Sequence, residues 1–316
     1  MRVGVLGAAG FLGSWTVRAL LGAGHEAVAI VRPTTDVWRI GGLPGLDVVA
    51  RPSADWPLVI REKSFDSLVF LDWEGVAAGT RDDDVQWSNL DRHRAMIAAA
   101  AEAGVRRIVG LGSQAEYGPR SDRAEEESTT NPATTYGQAK VAAMEQLRDL
   151  CESRGIDWVW ARVFSVYGPM DNAGMLLSSV AGRLAADEDI DLSSGEQRWS
   201  YLYAFDAGAA LATLTTHREA RGIVNVGNPL APRLREIVEE FASNFDTTGR
   251  LNFAPKLADP GGIAHLDPVT ERLVALGWSP EVSTPEGLAL TARWLKGEPV
   301  ADPYFAGRRI PEPPRD

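Results

Sequence analysis

The chain has 316 residues, 45% of them hydrophobic and 24% charged, so it can build one large or two modest domains around a substantial core and is not a disordered polymer. A formal net charge of −11 and a pI near 5.0 exclude a general affinity for nucleic acid or anionic membrane, and any anionic ligand must meet local positive groups. The single cysteine, Cys151, excludes an intrachain disulfide and fits a reducing cytoplasm; four dispersed histidines lack metal spacing, and no metal site is expected. No apolar run reaches membrane-spanning length.

Val3 opens a short apolar strand at residues 3–6, which begins so near the N-terminus that no cleavable signal peptide is expected. Gly7-Ala8-Ala9-Gly10-Phe11-Leu12-Gly13 follows, and then a helical pattern through Trp15, Val17, Leu20 and Leu21. Strand, glycine turn and helix together make a cradle for a pyrophosphate: the glycines permit close approach, and the free N–H groups of the helix start attract its charge. Gly7, Ala9, Gly10, Phe11, Leu12 and Gly13 are therefore the expected dinucleotide contacts. The spacing is Gly-x-x-Gly-x-x-Gly rather than Gly-x-Gly-x-x-Gly.

Further strands are predicted at 27–31, 68–71, 107–111 and 158–163, alternating with long helices at 89–103 and 139–152 that stop near Gly104 and Gly155. That rhythm predicts an α/β fold, a doubly wound parallel sheet with helices on both faces. After Tyr167-Gly168-Pro169 the pattern becomes irregular, with helices at 176–186, 234–245 and 284–295 and a strand at 222–226. The expected division is a dinucleotide-binding domain at 1–168, onto which later segments pack back, and a smaller mixed α/β substrate domain at 169–316. The acidic runs Asp82-Asp83-Asp84 and Glu125-Glu126-Glu127 read as solvated loop charges, and the proline-rich tail from Gly297 as an extended strap or disordered segment.

Tyr136 and Lys140 stand four residues apart, so on a helix the phenol and the ammonium share a face. A permanent cation at that distance is expected to lower the phenol's pKa and fit it for proton transfer at a carbonyl. The spacing alone is common. With Ser113 at a strand end and the glycine turn upstream, it reads as chemistry at a carbon bearing oxygen.

These features together resemble the extended short-chain dehydrogenase/reductase family, which contains nucleotide-sugar epimerases, dehydratases and ketoreductases. The likeness extends to Gly112-Ser113-Gln114-Ala115-Glu116-Tyr117-Gly118, to Tyr167-Gly168-Pro169, to Gly195-Glu196-Gln197-Arg198 and to Leu276-Gly277-Trp278-Ser279-Pro280. The resemblance implies a Rossmann-type fold and a nucleotide-diphosphate sugar as substrate. It also implies that Ser113 hydrogen-bonds the reacting oxygen, Tyr136 exchanges its proton, and Lys140 holds the nicotinamide ribose. Gln114, Ser165 and Arg198 are the further implied substrate contacts, with Arg198 clamping the diphosphate. A homodimer is implied through a four-helix bundle of the 89–103 and 139–152 helices.

Departures from the family narrow the reaction. Dehydratases place Asp-Glu after the Ser/Thr, but here Gln114 and Ala115 carry no group able to exchange a proton. Combined 3,5-epimerisation and reduction needs a Cys and His in the sugar pocket, and the only Cys lies far along the helix after Lys140. Where the family's NAD enzymes keep an Asp at the end of the second strand, this chain has Val31 followed by Arg32, which favours NADP(H) while leaving NAD(H) possible. The leading expectation is NADPH-dependent reduction of a nucleotide-linked 4-keto-6-deoxyhexose. A 4-epimerase with tightly bound NAD stays open, as does a non-catalytic NAD(P) sensor. Ser165 replaces a family Asn, and Asp72-Trp73-Glu74 replaces the usual His-Leu-Ala-Ala-like strand end, so the pocket beside the nicotinamide is expected to differ.

Overall fold

A computed structural model describes residues 1–76, 78–254 and 265–312. In chain order the first half holds β1 (Arg2–Leu6), α1 (Phe11–Gly22), β2 (Glu26–Val31), β3 (Leu46–Ala50), α2 (Trp56–Lys63), β4 (Ser67–Phe70), α3 (Val85–Glu102), β5 (Arg107–Ser113), α4 (Thr135–Glu152), β6 (Asp157–Val163) and β7 (Ser165–Tyr167). The second half holds α5 (Leu176–Ala185), β8 (Ile190–Leu192), β9 (Arg198–Trp199), β10 (Tyr201–Tyr203), α6 (Ala204–Thr216), β11 (Gly222–Val226), α7 (Leu234–Ala242), β12 (Leu251–Phe253), β13 (His265–Leu266), α8 (Glu271–Ala275) and α9 (Thr284–Leu295). Seven strands form one parallel sheet in the order β11-β6-β5-β4-β1-β2-β3. The fold is the expected Rossmann-type doubly wound sheet.

Both faces of this sheet are covered, which is why its central strands read as unbroken apolar runs rather than alternating ones. On one face Val3, Val5, Val109 and Val159 pack with Val17 and Leu20 of α1 and Leu211 of α6. On the other, Leu6, Leu68 and Ile108 meet Ile60 of α2, Met96 of α3 and Leu147 of α4. Each such side chain, taken fully out of water, contributes roughly 1.5–3 kcal/mol. A separate core of Leu177, Leu184, Phe241, Leu288 and Ala292 knits α5, α7 and α9 together. The residues after 168 also return to the large sheet, through α6 and β11.

Several boundaries differ from the sequence expectation for identifiable reasons. Helix α3 starts at Val85 rather than residue 89, because the polar Gln86 and Asn89 are buried and bond back to the preceding loop. Helix α4 starts at Thr135, capped by the Thr134 hydroxyl, which accepts from the Gly137 N–H at 3.1 Å. Helix α7 stops at Ala242, three residues short of the predicted end. Helix α6 lacks a polar stripe, being buried on most sides, and β3 with α2 also escaped prediction. The tail is a strap: Asp302 accepts from the buried Arg18 guanidinium at 2.9 Å, and the Pro311 carbonyl accepts from Trp294 at 2.7 Å. Residues 313–316 lie outside the described residues. Among the described residues no helix is long and apolar enough to cross a membrane, and no cluster suited to a metal ion occurs.

Candidate active site

The glycine turn leaves β1 at the carboxyl end of the sheet. Gly7 has φ +77°, and a Cβ there would sit 2.6 Å from the Leu71 carbonyl carbon; one on Gly13 would run into the Gly7 carbonyl oxygen. These positions require glycine. Gly10 caps α1 without any side-chain bond, and no acidic residue occupies the first turn, so the N–H groups there suit an anion. A cavity of about 470 Å³ opens over this turn and is lined by Gly7, Ala9, Gly10, Phe11, Leu12, Gly13 and Arg32, the whole predicted cofactor set apart from Lys140. The cradle thus fits a dinucleotide pyrophosphate.

Asp72, Trp73 and Glu74, beyond the end of the neighbouring β4, also line this cavity. Charges around the cavity balance, with Arg32, Arg39 and Arg92 against Asp36, Asp72 and Glu74. Arg32 and Glu74 form an exposed ion pair at 3.3 Å, and Arg92 holds Asp72 at 2.9 Å. Arg39 was not foreseen from the sequence. Its guanidinium crosses to the loop after β7, donating to the Met170 carbonyl at 2.8 Å and to Asn172 Oδ1 at 3.0 Å.

Ser113 ends β5, while Tyr136 and Lys140 project from the first two turns of α4, which packs against that strand. Burial pushes the Tyr136 phenol above its ordinary value, with a hydrogen bond from Ser113 and the Arg81 guanidinium pulling the other way. Lys140 is buried, donates to the Leu111 carbonyl at 2.7 Å, and places its Nζ 3.6 Å from the centre of the Trp73 ring system. Desolvation drives its pKa down to about 7, although the Glu116 and Asp72 carboxylates favour the cation. This corrects the sequence expectation: the Lys140 pKa is lowered and that of the phenol is raised rather than lowered, because both groups are withdrawn from water. Leu111 and Trp73, which touch the ammonium, also line the cavity over the glycine turn.

Beneath Ser113 lies a network that leaves no trace in the sequence pattern. The buried Glu116 carboxylate accepts from the Ser113 N–H at 2.8 Å, from Trp160 Nε1 at 2.9 Å and from Arg162 Nε at 2.7 Å. Arg162 also donates to the Glu126 carbonyl at 3.1 Å, and its guanidinium lies 4.5 Å from the Tyr117 ring centre. Glu126, expected as a solvated loop charge, is buried, and its carboxylate accepts from the Asn225 N–H at 3.0 Å. Burial raises its pKa.

The predicted substrate residues are dispersed. Gln114 is half-buried immediately after Ser113. The Ser165 hydroxyl accepts from Trp199 Nε1 at 2.7 Å. Arg198 is exposed, donates to the Ala231 carbonyl at 3.2 Å, and lines a second cavity of about 750 Å³ with Asn228, Leu230, Val282 and Leu288. Ser113, Tyr136 and Lys140 do not line that cavity.

Residues 3–227 match the sequence model of the NAD dependent epimerase/dehydratase family. The chain is 28% identical over 295 residues to dTDP-6-deoxy-L-talose 4-dehydrogenase (NAD(P)(+)) of Kitasatospora kifunensis, covering 88% of this chain and 91% of that protein. It is 27% identical over 210 residues to dTDP-D-glucose 4,6-dehydratase of Mus musculus, 64% of this chain but only 59% of the dehydratase. Among solved structures, the UDP-glucose 4-epimerase of Thermus thermophilus in complex with NAD superposes with a TM-score of 0.80 at 26% identity, over 94% of this chain and 99% of that one. The chain belongs to the NAD dependent epimerase/dehydratase family and is an NAD(P)-dependent enzyme of the extended short-chain dehydrogenase/reductase type.

Proposed function

We propose that the protein reduces the 4-keto group of a nucleotide-linked 4-keto-6-deoxyhexose with NADPH. The observation that carries this reading is that Ser113, Tyr136 and Lys140 meet where β5 packs on α4, with Lys140 against Leu111 and Trp73 of the cavity over the glycine turn, and that Gln114 and Ala115 stand where water elimination would need an acid and a base. A bound nicotinamide supplies the hydride. Ser113 donates a hydrogen bond to the substrate carbonyl oxygen, and Tyr136 gives that oxygen its proton. The raised pKa of Tyr136 keeps the phenol protonated at neutral pH, as a proton donor requires. Lys140 supplies positive charge one helical turn away, to offset the phenolate that remains. Likeness to the talose 4-dehydrogenase over nearly the whole of both chains supports a 4-position substrate. Val31 and Arg32 at the end of β2 support NADPH, with Arg32 exchanging its Glu74 partner for a 2′-phosphate.

A 4-epimerase holding NAD is the second reading. It is favoured by Glu74 and Asp36, carboxylates in the cofactor cavity that repel a 2′-phosphate, and by the likeness to the NAD-bound epimerase. Denaturing the purified protein and assaying the supernatant separates the two. The reductase reading predicts no stoichiometric release of NAD and turnover only with added NADPH; retained NAD with cofactor-free turnover overturns it.

We further propose a homodimer in which α3 and α4 of two copies form a four-helix bundle. Within one chain these helices already lie side by side, with Gln146 donating to the Leu90 carbonyl at 2.8 Å. A monomeric mass in solution contradicts this.

A further inference from the structure

The indole of Trp73 is fixed from several sides. Its Nε1–H donates to Gln86 Oε1 at 2.8 Å, and the buried Gln86 amide donates in turn to the carbonyls of Gly75 at 2.7 Å and Thr80 at 2.8 Å. His93 meets its ring edge-on at 5.6 Å and Tyr136 at 6.3 Å. The π face held this way meets the Lys140 ammonium, which otherwise has the Leu111 carbonyl as its acceptor. A loop residue fixed through its polar edge, with its face turned to a buried cation, is a built contact and not incidental packing.

We propose that Trp73 and Gln86 form a latch whose indole face keeps Lys140 protonated and held beside Tyr136, a positioning role for two residues outside the Ser113, Tyr136 and Lys140 set. The functional meaning of this latch rests on the reading of Lys140 given above; its electrostatics do not. Burial opposes the ammonium, and the negative face of an indole counters that opposition where water cannot. Asp72 from the loop after β4 and Glu116 from the turn after β5 act in the same direction. Arg92 and His93 of α3 share the Asp72 carboxylate, and Arg162 of β6 shares that of Glu116, which weakens both contributions. Tyr136 stands one turn away on α4, with Arg81 against its ring. The Trp73 indole, at 3.6 Å, is thus the nearest neutral support of a charge that two partly engaged carboxylates also favour, the Tyr136 and Trp160 rings lying at 5.7 and 6.0 Å.

The test is a pH titration of the Lys140 side-chain resonances in ¹³C,¹⁵N-lysine-labelled protein, assigned by their loss in Lys140→Met, with no substrate or cofactor present. In Trp73→Leu the ionisation midpoint falls, with the dissociation constant rising about tenfold. Trp73→Phe, which restores a weaker π face, recovers part of the shift. Gln86→Leu, which frees the indole but leaves it in place, gives a smaller fall. If all three folded variants titrate with the wild type, the proposal is overturned; if Trp73→Leu does not fold, the Phe and Gln86 variants decide in the same sense. A protein that fails to turn over any keto sugar but shows these midpoints leaves the latch standing and removes the reductase reading.

Discussion

Arg162 and Lys140 are both buried cations flanking the same carboxylate, yet they are provisioned in opposite ways. Arg162 meets Glu116, the Glu126 carbonyl and the Tyr117 ring, and its partners hold its pKa above the ordinary value despite burial. Lys140 has one carbonyl acceptor and the close face of Trp73, with the Tyr136 and Trp160 rings farther off, and its pKa falls to about 7. A saturated buried cation fixes structure and has nothing left to give to a ligand. A cation short of partners costs stability but remains available to a ribose hydroxyl or a phenolate. Ser113 joins the two regions: Glu116 accepts from its backbone N–H, and Tyr136 of α4 meets its hydroxyl.

The sharpest way to separate these roles is substitution. Tyr136→Phe removes the proton donor and is expected to lower turnover roughly 10²- to 10⁴-fold while the urea denaturation midpoint stays at the wild-type value. Glu116→Gln instead leaves Arg162 as an uncompensated buried charge, and a loss of about 3–5 kcal/mol in urea denaturation is expected. If Glu116→Gln proved as stable as wild type, the structural half of the contrast would fail.

Lys140→Met is the converse case. Activity falls sharply, whereas stability at neutral pH holds or rises, because an under-supported charge has been replaced by an apolar chain. The pH dependence carries a definite sign. Between about 7, the folded pKa, and about 10.4 the unfolded chain binds the Lys140 proton and the folded one does not, so this group makes stability rise with pH across that window. Below pH 7 both states are protonated, and its full penalty applies. The stability gain of Lys140→Met is therefore greatest below neutrality and shrinks toward alkaline pH, as chemical denaturation at several pH values would register. A gain independent of pH would show that the ammonium is not the cause.

The smallest expected effect lies at the rim of the cavity. Arg32→Ala should raise the KM for NADPH about tenfold, equivalent to about 1.4 kcal/mol, and leave that for NADH unchanged. Equal effects on both would assign Arg32 to its exposed pair with Glu74 alone.

Much of this was legible in the chain because the relevant signals are local. The glycine turn, the alternation of strands and helices, and the four-residue spacing of Tyr136 and Lys140 depend on neighbours in sequence, and the folded arrangement follows them. What the sequence did not show depends on distant partners. Glu116 and Arg162 meet across 46 positions and Gln86 grips Trp73 across 13, so neither pairing leaves a periodic trace. The carboxylate of Glu126 reads as a solvated charge because the backbone N–H it accepts from when buried, that of Asn225, lies far along the chain. The lowered pKa of Lys140 is hidden for a related reason: spacing reveals proximity to Tyr136 but not how much water is excluded.

The most direct test of the proposed reduction is the loss of NADPH absorbance when purified protein is mixed with a dTDP-4-keto-6-deoxyhexose, with Tyr136→Phe measured in parallel. One NADPH consumed per keto sugar reduced, abolished in Tyr136→Phe, is the predicted result. No oxidation across a panel of nucleotide-linked keto sugars, or oxidation undiminished in Tyr136→Phe, would contradict it.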